Sequence, residues 1–333
     1  MTDPVVRGND VHPEEDVAHR RDAAELHLHL EGALTARRAL TLASSATDVP
    51  SPPAGAIDET SRGVQWSFGS LRGFLEAFGW ASRQLRDAAA YVAVLDDLAV
   101  SLRAQRVSAA EVFVAFGQMH RGGVEPRVIV PALAERAAEI EAEGGPSIRF
   151  VADVTRNWGV AAADRALDDA LDLQRHRIVG FGMGGIETSE RARAFRGVFR
   201  RAAGSGLGLC CHAGEGTTAE SVREAVEELE VRRVGHGIAA ATDPVLMREL
   251  RDEGIVLEVC PTSNERTGVW DPATPHPLLT LLDHGVPVVL GSDDPAWFDC
   301  TLRSEIRRVS EWGVPERTID AMIERAFAVR FAP

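Results

Sequence analysis

Hydrophobic positions along the chain fall into two alternating kinds of segment. Short, nearly continuous apolar runs recur at ELHLHL (25–30), AAEVFVAF (109–116), IRFVADV (148–154), RIVGFGM (177–183), GLGLCC (206–211), RRVGHG (232–237), IVLEVC (255–260) and PVVLGS (287–292). Between them lie stretches rich in Ala, Arg, Glu and Leu with helical spacing, such as DRALDDALDLQRH and TAESVREAVEELE. Runs that are apolar on both faces and flanked by helices are the pattern of parallel strands covered on both sides. Eight such alternations predict an α/β fold of the (β/α)8 TIM-barrel type. An open doubly wound sheet usually has only about five or six strands.

Two stretches break the pattern. Residues 1–22 mix Asp, Glu, Arg, Pro and Gly without periodicity and read as a flexible tail, leaving 23–333 as a single barrel domain. His12 and His19 fall in that tail and are expected to be exposed and inert. The segment TDVPSPPAGAIDETSRG (47–63) is rich in Pro, Ser and Gly and reads as a loop excursion within the barrel.

Composition narrows the class. With 45 % hydrophobic and 26 % charged residues, the chain of 333 is not a disordered one. Its 36 basic and 50 acidic residues give a net charge of −14, which repels phosphate backbones and argues against nucleic acid as a partner. No apolar run approaches the ~18 to 20 residues needed to cross a bilayer, and the polar start is unlike a signal peptide. Four cysteines (Cys210, Cys211, Cys260, Cys300) make no disulfide framework, so a cytoplasmic location is expected.

In a barrel of this kind the chemistry sits at the carboxyl ends of the strands. The first run ends in His27-Leu28-His29-Leu30-Glu31-Gly32, where alternation along a strand turns both imidazoles to the same side. The fifth ends in His212-Ala213-Gly214-Glu215, the sixth in Gly235-His236-Gly237, and the eighth in Ser292-Asp293-Asp294-Pro295. Each has a bland alternative, such as a capping Asp or a turn Glu. Together they supply three nitrogens and one oxygen, from His27, His29, His212 and Asp293. That donor set suits one zinc with a position left for water. Glu215 can then donate a proton to the atom under attack, His236 can orient or deprotonate the water, and Asp294 can hold a polar edge of the substrate.

Other motifs are weaker. Gly180-Phe181-Gly182-Met183-Gly184-Gly185 matches G-x-G-x-x-G, but no ribose-binding acid ends the next run. It is expected to be a loop whose missing side chains let backbone N–H groups reach a ligand. Cys260 and Cys300 read as buried small hydrophobes, and His120, His176, His276 and His284 as surface or capping residues.

The segments ELHLHLEGAL, GFGMGGIE, CHAGE, RVGHGI, LEVCPTSN and LGSDDPAWF, in this order, resemble the adenosine deaminase branch of the amidohydrolase superfamily. The resemblance implies a zinc enzyme that hydrolyses the exocyclic amine of a 6-aminopurine nucleoside, adenosine or a 5′-modified adenosine. It implies His27, His29, His212 and Asp293 as zinc ligands, Glu215 as the acid for the ring nitrogen, His236 as the residue that orients the water, and Asp294 on the imidazole-ring nitrogen. Gly185, with Gly184 beside it, resembles a backbone donor to the ring, and His29 and Glu31 line the substrate side. The segment 71–78 is similar to a helical lid over the base after the first strand, placing Phe74 and Phe78 on the substrate. Its apolar residues at i, i+3, i+4 and i+7 suit ordinary core packing equally. Adenosine deaminases proper usually carry Asp where this chain has Glu31 and Gly182. TRNWG, GFGMGG and GHGIAAATDP look more like aminodeoxyfutalosine deaminases. The alternatives are an adenine deaminase, or an amidohydrolase with the same metal centre acting on a different C–N bond.

Overall fold

The structure, a computed structural model, describes residues 21–45, 49–61 and 63–331. The expected tail therefore lies almost wholly outside the described residues, His12 and His19 with it. The strands are β1 Ala23–His29, β2 Ile57–Thr60, β3 Gly63–Trp66, β4 Val107–Ala115, β5 Ser147–Thr155, β6 Ile178–Gly184, β7 Gly208–Ala213, β8 Arg233–His236, β9 Val256–Val259 and β10 Val288–Leu290.

Eight of them form one sheet in the order β1-β4-β5-β6-β7-β8-β9-β10, every ladder parallel. Its edges meet where Leu28 bridges Asp293: His29 N–H donates to the Asp293 carbonyl (2.8 Å) and Asp293 N–H to that of His27 (2.9 Å). This contact joins the two ends of the strand order into a barrel. Each predicted run carries one of these strands, within two residues at either end. On β5 the alternation sends Ala152 and Val154 outward to the helix-covered core, while Val151 packs inside the barrel with Phe113 and Cys210.

Helices fill the connections, among them Ala88–Ala104, Pro126–Ala142, Val160–Asp172 and Ala219–Leu229. Among the described residues no helix is long and apolar enough to cross a membrane. The expected loop at 47–63 needs correcting. There β2 (57–60) pairs antiparallel with β3 (63–66), whose Trp66 is buried and stacks on Trp297 with ring centroids 3.9 Å apart. Four-residue strands of mostly polar sequence are too short for period-two alternation to show.

Two irregularities shape the barrel. β6 and β7 pair only through Gly180–Gly208 and Phe181–Leu209, and then part. The buried guanidinium of Arg156 enters beside them and donates to the His212 carbonyl at 2.8 Å. At the opposite end, the chain after helix Glu316–Ala328 turns under the barrel. There Phe331 lies so close to Gly180 and Gly208 that a Cβ at either would come within 2.6 and 2.0 Å of its ring. The Gly180–Gly184 segment is thus a strand, not the ligand-approach loop expected of it. Its glycines make room for Phe331, for Phe113 beside Gly182 and for His212 beside Gly184.

Candidate active site

Two histidines from β1, one from β7 and the aspartate after β10 converge on one point. His27, His29, His212 and Asp293 each offer a donor atom, all within 4.8 Å of one another. His29 Nε2 lies 3.3 Å from His212 Nε2 and 3.4 Å from Asp293 Oδ1, and His27 Nε2 lies 3.6 Å from the same oxygen. Glycines allow the crowding. A Cβ at Gly235 would come within 2.7 Å of His27 Cε1, and one at Gly291 within 2.7 Å of His27 Cβ. The space that Gly235 leaves is taken by His27 and His212.

Hydrogen bonds at the far side of two rings decide which nitrogen faces the cluster. His27 Nδ1 is 2.8 Å from Glu258 Oε2, a carboxylate that can only accept, so Nδ1 carries the proton. His212 Nδ1 is 3.2 Å from the Met183 carbonyl, with the same result. Each Nε2 of the neutral ring is then a bare lone pair turned inward, and that of His27 is buried without a partner. Three inward nitrogens, one carboxylate and an orphaned acceptor fit a zinc-type cation.

The electrostatics agree. Burial works against a charge on His27, yet its contacts with Asp293 and Glu258 raise it to about 10, so this ring by itself holds a second proton on Nε2, which a bound metal would replace. Burial takes His29 down to about 4 and His212 well below the ordinary range. Asp293 stays ionised: burial opposes this, but His27 and the other histidines hold it well below the usual carboxylate range. The pocket therefore favours a single cation at its centre.

The other expected residues ring this point. His236 Nε2 is 3.7 Å from Asp293 Oδ2 and 3.9 Å from Glu215 Oε2. Burial, then the neighbouring charges of Asp293 and Glu187, push the Glu215 carboxyl up to about 8. Burial and Asp293 raise Asp294 well above the usual range. Asp294 packs against the bare face of Gly32, where a Cβ would sit 2.2 Å from Oδ1. Burial likewise raises Glu31 to about 7 although its Oε1 accepts from Ala115 N–H at 3.1 Å. His236 and Asp293 have φ of +58° and +62°, a left-handed backbone that L residues adopt at a cost and that concentrates at functional sites.

Helix Leu71–Ser82 is present where the lid was expected, its first turn capped by Ser70. Phe74 and Phe78 stand 5.5 Å apart, each with its ring 5.5 Å from that of Trp297, three residues beyond Asp294. A Cβ on Gly216, next to Glu215, would lie 3.5 Å from Leu71, so this helix borders the mouth. Gly184 ends β6 behind His212, and Gly185 follows with φ of +94°.

Sequence reasoning missed several contributors. Glu187 accepts from the backbone N–H of Gly214 (2.7 Å) and of Glu215 (2.9 Å) and from Thr217 Oγ1 (2.7 Å), which fixes the loop carrying Glu215. Glu258 orients His27 while facing Arg233 Nε at 2.6 Å, and Arg233 also pairs with Glu111. Asp153 is buried at the mouth with Oδ1 unpartnered. A charged residue inside an apolar strand run was the available signal for Glu258, Glu111 and Asp153. His276 caps Leu278 N–H as expected but is buried, and His120 makes a part-buried contact of 2.8 Å with Asp169 rather than a surface one.

The family model described as adenosine deaminase matches residues 23–333. An adenine deaminase of Chelativorans sp. is 33 % identical over 310 residues, covering 92 % of this chain and 93 % of its own. An aminodeoxyfutalosine deaminase of Acidothermus cellulolyticus is 34 % identical over 304 residues, covering 89 % and 84 %. The crystal structure of adenine deaminase from Arthrobacter aurescens superposes with a TM-score of 0.84 at 26 % identity, over 93 % of this chain and 94 % of that one. A zinc-bound amidohydrolase from Burkholderia ambifaria shares the fold, with a TM-score of 0.85 at 20 % identity over 95 % and 87 %. A closed parallel barrel, a three-histidine, one-aspartate cluster at its carboxyl end and a match across the described barrel lead to one assignment. The chain belongs to the adenosine deaminase family of metal-dependent amidohydrolases, and it is a hydrolase of C–N bonds.

Proposed function

We propose that this protein removes the exocyclic amine of a 6-aminopurine by hydrolysis, giving the 6-oxopurine and ammonia. One observation carries the reading. A carboxyl that burial pushes toward its protonated form, Glu215, stands 3.9 Å from His236 Nε2 beside a cluster of lone pairs suited to one zinc. His27, His29, His212 and Asp293 would hold the metal, which when bound brings the ionisation of water down toward neutral pH.

The chain's own residues do the rest. Glu215, kept protonated by burial, gives its proton to the ring nitrogen as oxygen adds to the neighbouring carbon. It then takes the proton of that oxygen and passes it to the amine, which leaves as ammonia. His236 orients the water. Asp294, also held neutral, hydrogen-bonds the five-membered ring, and the backbone at Gly184 and Gly185 the six-membered one. Phe74 and Phe78 on the lid helix exclude water from the base. Glu31 and Asp153 line the end of the pocket that distinguishes free adenine from a nucleoside or a 5′-modified one. The reading is of a cytosolic enzyme with a small purine substrate, and its four buried free thiols accord with a reducing compartment.

The test is a screen of zinc-loaded protein, following the adenine-to-hypoxanthine ultraviolet change. Adenine, adenosine, 2′-deoxyadenosine, AMP and aminodeoxyfutalosine form the panel. Rapid turnover of one member is expected. Silence across the panel, with metal bound, would remove the purine reading and leave an amidohydrolase of another C–N bond.

A further inference from the structure

His236 differs from the metal-facing histidines in what lies behind its ring. His236 Nδ1 is 3.2 Å from Asn264 Nδ2, and Asn264 Oδ1 is 3.3 Å from His276 Nε2. His276 Nδ1 in turn accepts from the backbone N–H of Leu278 at 3.1 Å. All three side chains are buried, and His276 is stacked on Trp312 with ring centroids 5.1 Å apart.

The backbone amide sets the direction of the whole chain, because an amide N–H can only donate. His276 Nδ1 is therefore the bare nitrogen. Burial, with Arg308 nearby, takes His276 down to about 3, so the ring is neutral and its one proton sits on Nε2. That proton goes to Asn264 Oδ1, which turns the Asn264 NH2 group toward His236. His236 Nδ1 must then accept, and its own proton sits on Nε2, facing Asp293 and Glu215.

We infer that His276 and Asn264 act as positioning residues that lock His236 into the Nε2–H tautomer, so that it presents a hydrogen-bond donor to the reacting oxygen and not a base. His27 and His212 are held in the opposite tautomer by Glu258 and the Met183 carbonyl. Three imidazoles in one pocket are thus sorted into acceptors and a donor by what lies behind them. One consequence concerns His236, Cys260 and Asp293, which also lie close enough to suggest a metal group. With Nδ1 engaged by Asn264 and Nε2 protonated, His236 has no lone pair to give. A second consequence is that His236 does not take the proton lost by the attacking oxygen, which leaves Glu215, once it has given its own proton to the ring nitrogen, as the carboxylate that accepts it.

The role of His236 in turnover rests on the proposed deamination, but its tautomer does not, so the two can fail separately. The first measurement is long-range 1H–15N correlation NMR of histidine-labelled, zinc-loaded protein at neutral pH. A pyrrole-type Nε2 and a pyridine-type Nδ1 are expected for His236, and the reverse, or an averaged pair, overturns the inference. The second is Asn264→Asp, which replaces the donor facing His236 with an acceptor of the same shape. The His236 signature should invert while bound zinc is retained, and kcat on the turned-over purine should fall by ~10²-fold or more, with KM little changed. A histidine forced into the wrong tautomer costs ~10⁴ in kcat in a hydrolase where this has been isolated. An unchanged signature in Asn264→Asp would overturn the relay. Should that variant not fold, the spectrum of the unaltered protein decides alone.

Discussion

The two ends of the barrel interior hold buried charge in opposite ways. At the floor Arg233 lies between Glu111 and Glu258, its guanidinium 3.7 Å from the centre of the Phe331 ring, and Glu111 also accepts from Phe331 N–H at 2.6 Å. The Arg233 Nε–Glu258 contact is an ion pair and not an aligned hydrogen bond, yet each charge there faces an opposite one. At the mouth Glu31, Asp153 and Asp294 stand buried and Glu215 half-buried, and none of the four is paired with an arginine among the described residues. Atoms without a hydrogen bond occur at both ends, but Arg233 Nε and Nη2 and Glu258 Oε1 at the floor belong to ion-paired groups, whereas Glu31 Oε2, Asp153 Oδ1 and Asp294 Oδ1 at the mouth face no cationic side chain of that kind. Gathering acidic groups in the interior without a cationic side chain costs stability, and such groups with shifted titration are typical of sites that bind and react. The floor serves the fold and the mouth serves the reaction.

Substitutions can test that contrast. The largest effect belongs to the mouth: Glu215→Gln removes the proton donor, and kcat should drop by ~10³-fold or more while metal analysis shows the same content as the unaltered enzyme. The floor should respond in stability instead. Arg233→Met leaves two carboxylates facing each other in the interior, and the unfolding free energy should fall by about 3–5 kcal/mol in denaturant titrations. Glu258→Gln tests the link between the two ends, because Glu258 touches both Arg233 and His27. Chelator competition should show zinc held ~10 to 100-fold more weakly.

The smallest effect is a change of slope. Burial, with Glu31 adding to it, raises Asp153 from its ordinary 3.8 to about 8. Below pH 3.8 both folded and unfolded chains carry this proton, and the group makes no difference. Between 3.8 and 8 the unfolded chain has ionised while the folded one keeps its proton, so stability falls as pH rises through this window. Asp153→Asn should flatten that fall and melt higher than the unaltered protein at pH 8, with little gain near pH 4. Equal slopes in thermal melts of the two proteins would show that Asp153 is paired after all.

Much of the mouth was legible because its residues sit where strands end. His27, His29, His212, Glu215, His236, Asp293 and Asp294 each lie within a few residues of an apolar run, and a barrel brings such ends together whatever their separation in sequence. What orients those side chains was not legible. Glu258 reaches His27 from 231 residues away, and nothing local in LEVC announces its partner. Asn264 and His276 lie 28 and 40 positions beyond His236, and only the Leu278 amide gives their contact a direction. The glycines of GFGMGG misled for the same reason, since Gly180, Gly182 and Gly184 face rings from distant segments and Gly185 faces the Asn157 side chain.

The seat of Phe331 also sets an order of events on the ribosome. Glu111 and Arg233 are synthesised long before residue 331, and the strands that carry them can begin to pair as they emerge. Their charges then wait beneath a barrel with no ring to cover the guanidinium and no amide for the glutamate. The floor is sealed only when Phe331 leaves the exit tunnel, and that contact joins residues 220 apart. A nascent chain stalled a few residues short would carry every metal ligand and still have an open base.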